Sequence, residues 1–263
     1  MKRFQPTFAI ISVFIILMSI SIITVLSSYT VPEKYEEFKI PIIKTDKQKS
    51  TMCLSPQYMM NAWYNLECIS PFCEEFDPEQ HTKDTMKYQE FWEPSKETTR
   101  NYSNKKLSVI VDTINEITMT KRPIWASYLF HRSFDDNRTL LQDDTLIQDV
   151  KSFPIYIANL SDTKTATVEL QDGSLMMVIE AQDEHKKWKA LEYWSHSWCG
   201  NSYYSLELPP HYFAFTRGIK CSGDFFTTCR LKVFNGKDSL LSNEFKMSIN
   251  KSQFNKPAID SER

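Results

Sequence analysis

Phe225-Phe-Thr-Thr-Cys-Arg-Leu-Lys-Val-Phe234, followed at once by Asn235-Gly-Lys-Asp238, is the stretch on which the fold class turns. Every second residue matches in character. Phe225, Thr227, Cys229, Leu231 and Val233 fall on one side, and Phe226, Thr228, Arg230, Lys232 and Phe234 on the other. A period of two is that of a β-strand, and the charges at 230 and 232 make the second side the wet one. Asn235-Gly236 is a strong short-range turn signal, so the strand is expected to fold back as a hairpin into Leu240–Met247.

Working outward, the same alternation recurs. Candidate strands are Leu107–Asp112, Trp125–His131, Phe153–Asn159, Thr165–Leu170, Leu175–Ala181, Trp188–Trp194, Tyr203–Leu208 and Tyr212–Arg217. Turn residues separate them, at Asn159–Asp162, Gln171-Asp-Gly173, Asp183-Glu184 and Leu208-Pro-Pro210. Short strands with frequent turns and no alternating long helices predict a mainly β chain, an antiparallel β-sandwich over 107–254. Leu140–Val150 has a weaker helical pattern, and 255–263 reads as a polar tail.

The N-terminus is different. Lys2 and Arg3 precede an uncharged run from Phe8 to Leu26, whose 19 residues span about 28 Å as a helix, against about 30 Å of bilayer hydrocarbon. The run is longer than a signal-peptide core, although Val25 and Ser27 offer a poor cleavage pair. The expectation is a single-pass transmembrane anchor at 8–26, the alternative a cleaved signal. With two cations before the run and Glu33, Lys34, Glu36 and Glu37 after it, residues 1–7 are expected in the cytoplasm and the rest outside it. Residues 27–106 then read as a stalk with a Cys-containing subregion.

Six cysteines, at 53, 68, 73, 199, 221 and 229, suit an oxidising compartment. Six allow about 15 pairings. The locally favoured pairs are Cys221 with Cys229 across Ser222-Gly-Asp224, and Cys68 with Cys73 around Pro71, leaving Cys53 with Cys199. No cysteine pair repeats at a second locus as a zinc site requires, so no metal is expected. His196 and Cys199 are close enough in sequence to suggest a thiol–imidazole pair, but nothing supplies a third group to orient it. Only 5 glycines occur, and neither a phosphate-binding loop nor a nucleophile elbow is present, so no cofactor and no catalytic residue is assigned. The acidic pairs Asp135-Asp136 and Asp143-Asp144 read as solvated loop acids. A net charge of −2 gives no reason to expect nucleic acid.

Aromatics crowd one region. Trp188, Tyr193, Trp194, Trp198, Tyr203, Tyr204, Tyr212 and Phe213 fall within 26 residues. Most are expected to fill a core, with Trp194, Trp198 and Tyr203 as candidates for contact with a protein or glycan partner. Four Asn-X-Ser/Thr sequons, at Asn101, Asn137, Asn159 and Asn250, read as chance matches.

Trp188-Lys-Ala-Leu-Glu-Tyr-Trp194, Ser197-Trp-Cys-Gly-Asn-Ser-Tyr203, the Leu208-Pro-Pro turn, Leu241–Phe245 and Ser248-Ile-Asn250 together resemble a group of uncharacterised exported proteins of Bacteroidetes-type bacteria. The resemblance covers roughly residues 150–254. The Leu-Pro-Pro turn followed by an alternating strand also resembles immunoglobulin-like accessory domains. It implies an immunoglobulin-like sandwich outside the cytoplasm and carries no reaction or ligand with it. The expected function is a non-catalytic binding or structural role at the cell envelope, as a lone domain or a subunit of a complex. The alternative is an envelope enzyme with a pocket near His196 and Cys199.

Overall fold

The structure, a computed structural model, describes residues 38–45, 50, 52–53, 59–60, 64–83, 92–94, 104–121, 148–193 and 202–255. The chain divides between Glu36 and Glu37, and all described residues belong to the second unit. Among them no helix is long and apolar enough to cross a membrane; Phe8–Leu26 lies outside the described residues. So do Trp125–His131 and residues 140–147, whereas 148–150 open a strand rather than close a helix.

The described residues are mainly β, and their strands are numbered in chain order. A central sheet runs β4 (Cys68–Pro71), β16 (Tyr212–Ile219), β9 (Gln148–Asn159) and β7 (Leu107–Val111), with β8 (Ile117–Lys121) beside the other half of β9. A side sheet runs β3 (Tyr64–Asn65), β11 (Ser174–Leu175), β10 (Ala166–Gln171), β15 (Tyr203–Leu208) and β6 (Trp92–Pro94). An outer sheet runs β13 (Trp188–Ala190), β12 (Met177–Gln182), β17 (Phe225–Asn235) and β18 (Asp238–Leu241), with β19 (Phe245–Ile249) also on β17. All three sheets are antiparallel. Two small parallel pairs complete the set, β1 (Ile42–Ile43) with β5 (Glu75–Phe76) and β2 (Met59–Met60) with β14 (Glu192–Tyr193).

One main core lies where the inward faces of the three sheets meet. Val109, Ile155, Ile157 and Ala214 come from the central sheet, Val168, Leu170 and Leu206 from the side sheet, and Ile179, Cys229, Leu231 and Val233 from the outer sheet. The central sheet is buried on its second face as well. There Cys68, Tyr156, Phe213 and Phe215 pack with Phe38, Phe72 and Phe76, with rings meeting mostly edge to face. Burial on both faces explains why Pro154–Leu160 and Tyr212–Ile219 are apolar with little alternation.

The boundary expected at 106/107 is therefore not an edge of the folded unit. β3 and β6 join the side sheet, β4 joins the central sheet, and Phe38, Phe72 and Phe76 roof it. Short helix α1 (Pro78–Lys83) follows them, capped by Asp77, whose Oδ1 accepts from the amides of Glu79 (2.9 Å) and Gln80 (3.2 Å). Arg217 fastens this segment. Its guanidinium, 7% exposed, donates to Thr118 O (2.7 Å) and Glu79 Oε1 (2.8 Å) and pairs with Glu67 Oε2 (3.1 Å).

Two local devices fit the strands together. Pro154 sits inside a long strand, but its carbonyl accepts from Asp112 N (2.9 Å). Its ring nitrogen faces the same side, at the gap where β7 leaves β9 and β8 has yet to return, so no ladder bond is lost. At the other side of β7, Asn243 imitates a strand. Its Oδ1 accepts from Val111 N (2.8 Å) and its Nδ2 donates to Val111 O (3.0 Å), joining the end of the outer sheet to the central sheet. Asn243→Ala removes both bonds and should cost about 2 kcal/mol by chemical denaturation, at about 1 kcal/mol each. A loss below a few tenths would show that the sheets are held together elsewhere.

Candidate binding face

The outer sheet has only one face in the core, and the alternation of β17 decides what the other face carries. Cys229, Leu231 and Val233 point inward; Phe226, Thr228, Arg230, Lys232 and Phe234 point outward, as the sequence pattern predicts. Register then builds the face. Arg230 lies opposite Glu180 and Lys232 opposite Val178, while β13 places Trp188 opposite Gln182 and Ala190 opposite Glu180. On the far side Lys232 meets Leu241 and Phe234 meets Ser239.

These neighbours make an ordered cation–aromatic group. The Arg230 guanidinium lies 4.0 Å from the centre of the Trp188 ring. Its Nε and Nη2 both engage Glu180 Oε2, at 2.8 and 2.7 Å, and Lys232 Nζ stands 3.7 Å from Glu180 Oε1. One carboxylate thus holds two cations, so the group keeps a net positive charge. Lys246 adds a third cation, donating to Thr228 Oγ1 at 2.5 Å. Phe226 and Leu241 are exposed at 68% and 48%, well above what a packing role needs.

Of the candidate contact aromatics, Tyr203 is brought to this region. It packs with Phe234 around buried Met176 and Val178. Trp194 and Trp198 lie outside the described residues, as do His196, Cys199, Asp135-Asp136 and Asp143-Asp144. Trp188, one of the crowded aromatics, is half-buried on the outward face. Its register opposite Gln182 places it there, and beyond it the chain bends at Leu191: Leu191 and Glu192 are both buried, which breaks the alternation between β13 and β14. Sequence reading overlooked Arg230 and Lys232 as site residues, although their alternation with Phe226 and Phe234 was the available signal.

The expected disulfides are not formed among the described residues. No bond joins Cys68 to Cys73 or Cys221 to Cys229. For the second pair the reason is topological. Ser222-Gly-Asp224 is not a hairpin turn; it carries the chain from β16 of the central sheet to β17 of the outer sheet. Cys53 is also unbonded, and its expected partner Cys199 lies outside the described residues. Burial pushes the Cys229 thiol up to about 12, and raises Cys68 and Cys73 as well. Such thiols stay protonated near neutrality and are poor nucleophiles. Asn159, one of the four sequons, is fully buried, its Nδ2 donating to Lys164 O and Leu208 O at 2.9 Å each, so it is no glycan acceptor.

One buried polar pair supports the face from beneath. Tyr64 OH donates to Glu192, 2.9 and 2.8 Å from its two oxygens, and Glu192 Oε2 accepts from Ile179 N at 2.8 Å. Burial first, then the Glu192 charge, pushes the Tyr64 phenol well above its usual range. The pair braces the strands that carry Trp188 and Glu180; proton transfer from such a phenol is unfavourable. Among the described residues no cluster of His, Cys, Asp or Glu is arranged to hold a metal. No family model, curated protein or solved structure matches the chain.

The hairpin that delivers Trp188 is set by Asp183. Its Oδ1 accepts from the amides of His185 (2.8 Å) and Lys187 (3.0 Å), and its Oδ2 pairs with Lys189 Nζ at 3.1 Å. The Lys187 amide first, with the Lys189 ammonium and the His185 amide adding to it, lowers the carboxyl to about 2. A depressed carboxyl contributes stability that is present above its unfolded value of about 4 and is lost as pH falls through the folded value. Asp183→Asn should therefore be less stable than the parent at pH 7, with the gap closing as acid approaches pH 2. A gap independent of pH would contradict this role.

Proposed function

We propose that the chain is an anchored, extracytoplasmic β-sandwich protein with a non-catalytic binding role at the cell envelope. The outward face of the outer sheet is the surface that meets the partner. The observation that carries this reading is the Trp188–Arg230–Glu180 group with Lys232 beside it. Cations held over and beside aromatic rings, already ordered before a partner arrives, lose little freedom on binding. Arg and aromatic side chains are also those that dominate binding energy at protein surfaces. Exposed Phe226 and Leu241 extend the same face with apolar area.

The anchor and the location rest on Phe8–Leu26 and its flanking charges. The likeness of 150–254 to exported Bacteroidetes-type proteins points the same way, and the Leu208-Pro-Pro turn is what supports an immunoglobulin-like kinship. The raised thiols of Cys68, Cys73 and Cys229 favour binding over thiol chemistry at those positions.

Two readouts test the proposal. After alkaline carbonate extraction the chain should stay in the membrane pellet, and protease added to intact cells with a permeabilised outer layer should digest the 38–255 domain. Partners captured from envelope extracts by the full chain should be lost, roughly tenfold or more, with Trp188→Ala or Arg230→Ala while the melting transition persists. Recovery of the chain in the soluble cytoplasmic fraction, or capture unchanged in both variants, would overturn it.

A further inference from the structure

Trp188 reaches the binding face from β13, the last strand of the outer sheet. Among the described residues β13 has a strand neighbour on one side only, β12. We infer that its bare edge takes an extended segment of a partner protein as an added strand, one whose residues alternate acidic and apolar. The inference rests on the binding-face reading above and names the partner's chemistry and its mode of docking.

The parity of the ladder shows what the edge offers. Lys187 O accepts from Asp183 N at 2.9 Å, and Leu191 N donates to Ile179 O at 2.8 Å. In an antiparallel pair every second residue is bonded across, so Lys189 is bonded to Ala181 in the same way. Trp188 and Ala190 fall between, and their N–H and C=O groups point away from β12. The edge thus presents two donors and two acceptors at strand spacing, and no described residue engages them. Ala190 is exposed and carries only a methyl group, so its own side chain does not cover them. The opposite edge of the sheet differs, because Ser242 and Asn243 join it to β7.

The side chains of β13 set the pattern a partner must match. Trp188 and Ala190 fall on the outward face, and Lys187 and Lys189 on the other, where Lys189 Nζ stands 5.8 Å from the centre of the Phe254 ring. Cross-strand pairing then favours apolar residues beside Trp188 and Ala190, and acidic residues beside the lysines. Around this edge Lys186, Lys187, Lys189 and Lys251 outnumber Asp183 and Glu184, and both carboxylates are already engaged, by Lys189 and by Lys251. Lysines on an edge exclude neutral and basic strands and admit one of opposite charge. A second copy of β13 would set Lys187 and Lys189 against like charges. A bare anion would leave the row of backbone groups unused.

The test is fluorescence anisotropy on the full chain in detergent, with a labelled heptapeptide of alternating glutamate and valine. Its fully N-methylated analogue keeps every side chain and charge but has no backbone donor, and a lysine–valine counterpart reverses the charge. The acidic heptapeptide should bind, with both comparison probes at least about tenfold weaker. Ala190→Pro removes an edge donor and no bond to β12, so it should weaken the acidic heptapeptide by about tenfold or more while the melting transition persists. Lys187→Glu, a surface substitution, should weaken it by about tenfold and strengthen the lysine counterpart, while Lys44→Gln leaves both within about twofold. Equal binding of the N-methylated analogue or of the lysine counterpart, or indifference to Ala190→Pro and Lys187→Glu, would overturn the inference. If the acidic heptapeptide does not bind yet partner capture still depends on Arg230, strand addition falls and the binding face stands. If neither is seen, both fall.

Discussion

Everything in this structure depends on the burial of the central sheet on both faces. β9 and β16 run through the middle of it, with Ile155, Ile157 and Ala214 in the main core and Tyr156, Phe213 and Phe215 against the second cluster. A sheet so placed needs a roof, and residues 38–76 supply it through Phe38, Phe72 and Phe76. The same constraint explains Arg217, a guanidinium on a face otherwise given to rings. A buried cation must be paired, and Glu67 and Glu79 are brought to it by the roofing segment itself. Roof and ion pair are thus one device: the pair is satisfied only when the segment is docked.

The outer sheet stands in the opposite condition. Its inner face, from Cys229, Leu231 and Val233, closes the main core, and its outer face carries the Trp188–Arg230–Glu180 group with Lys232. The supports of that face all lie elsewhere. Asn243 joins its lower edge to β7, Asn235 joins the hairpin to β10, Asp183 shapes the loop before Trp188, and the Tyr64–Glu192 pair braces β12 from within. Each is an amide or carboxylate satisfying backbone groups, which fixes geometry at little cost in burial. The cations of this face are held by rings and by a carboxylate, which is the order that the proposed binding role draws on.

Much of the architecture was legible because a sheet with one wet face writes itself in alternation. Phe225–Phe234 became β17 one residue longer, and Tyr203–Leu208 matches β15 to the residue. The Gln171-Asp-Gly173 and Asn235-Gly236 turns fell where the sequence marks them, the first with φ of 52° and 77° at Asp172 and Gly173. What stayed hidden were elements held by partners rather than by pattern. β3, β4 and β6 are two to four residues long, too short for a period, and exist because sheet edges accept them. Leu175–Ala181 splits at Met176, where the chain passes from the side sheet to the outer sheet, and Leu240–Met247 splits at 242–244, where Asn243 turns aside to β7 while both halves stay on β17. The Cys221–Cys229 bond is absent for a related reason: sequence nearness across Ser222-Gly-Asp224 says nothing of a crossing between sheets. Which of the crowded aromatics would face outward was not legible, because the backbone bends at Leu191 and breaks the alternation beyond Trp188.

The proposed function makes one account of the folded unit, in which the outer face is the surface presented to a partner. Its central claim is that contact is made through that surface. The most direct measurement places a photo-crosslinking residue at Phe226, on the outward face, or at Ile42, an exposed residue on the roofing strand β1, and irradiates intact cells. The account predicts a discrete cross-linked species from position 226 that is absent from position 42. A species from position 42 alone, or the same species from both, would contradict it.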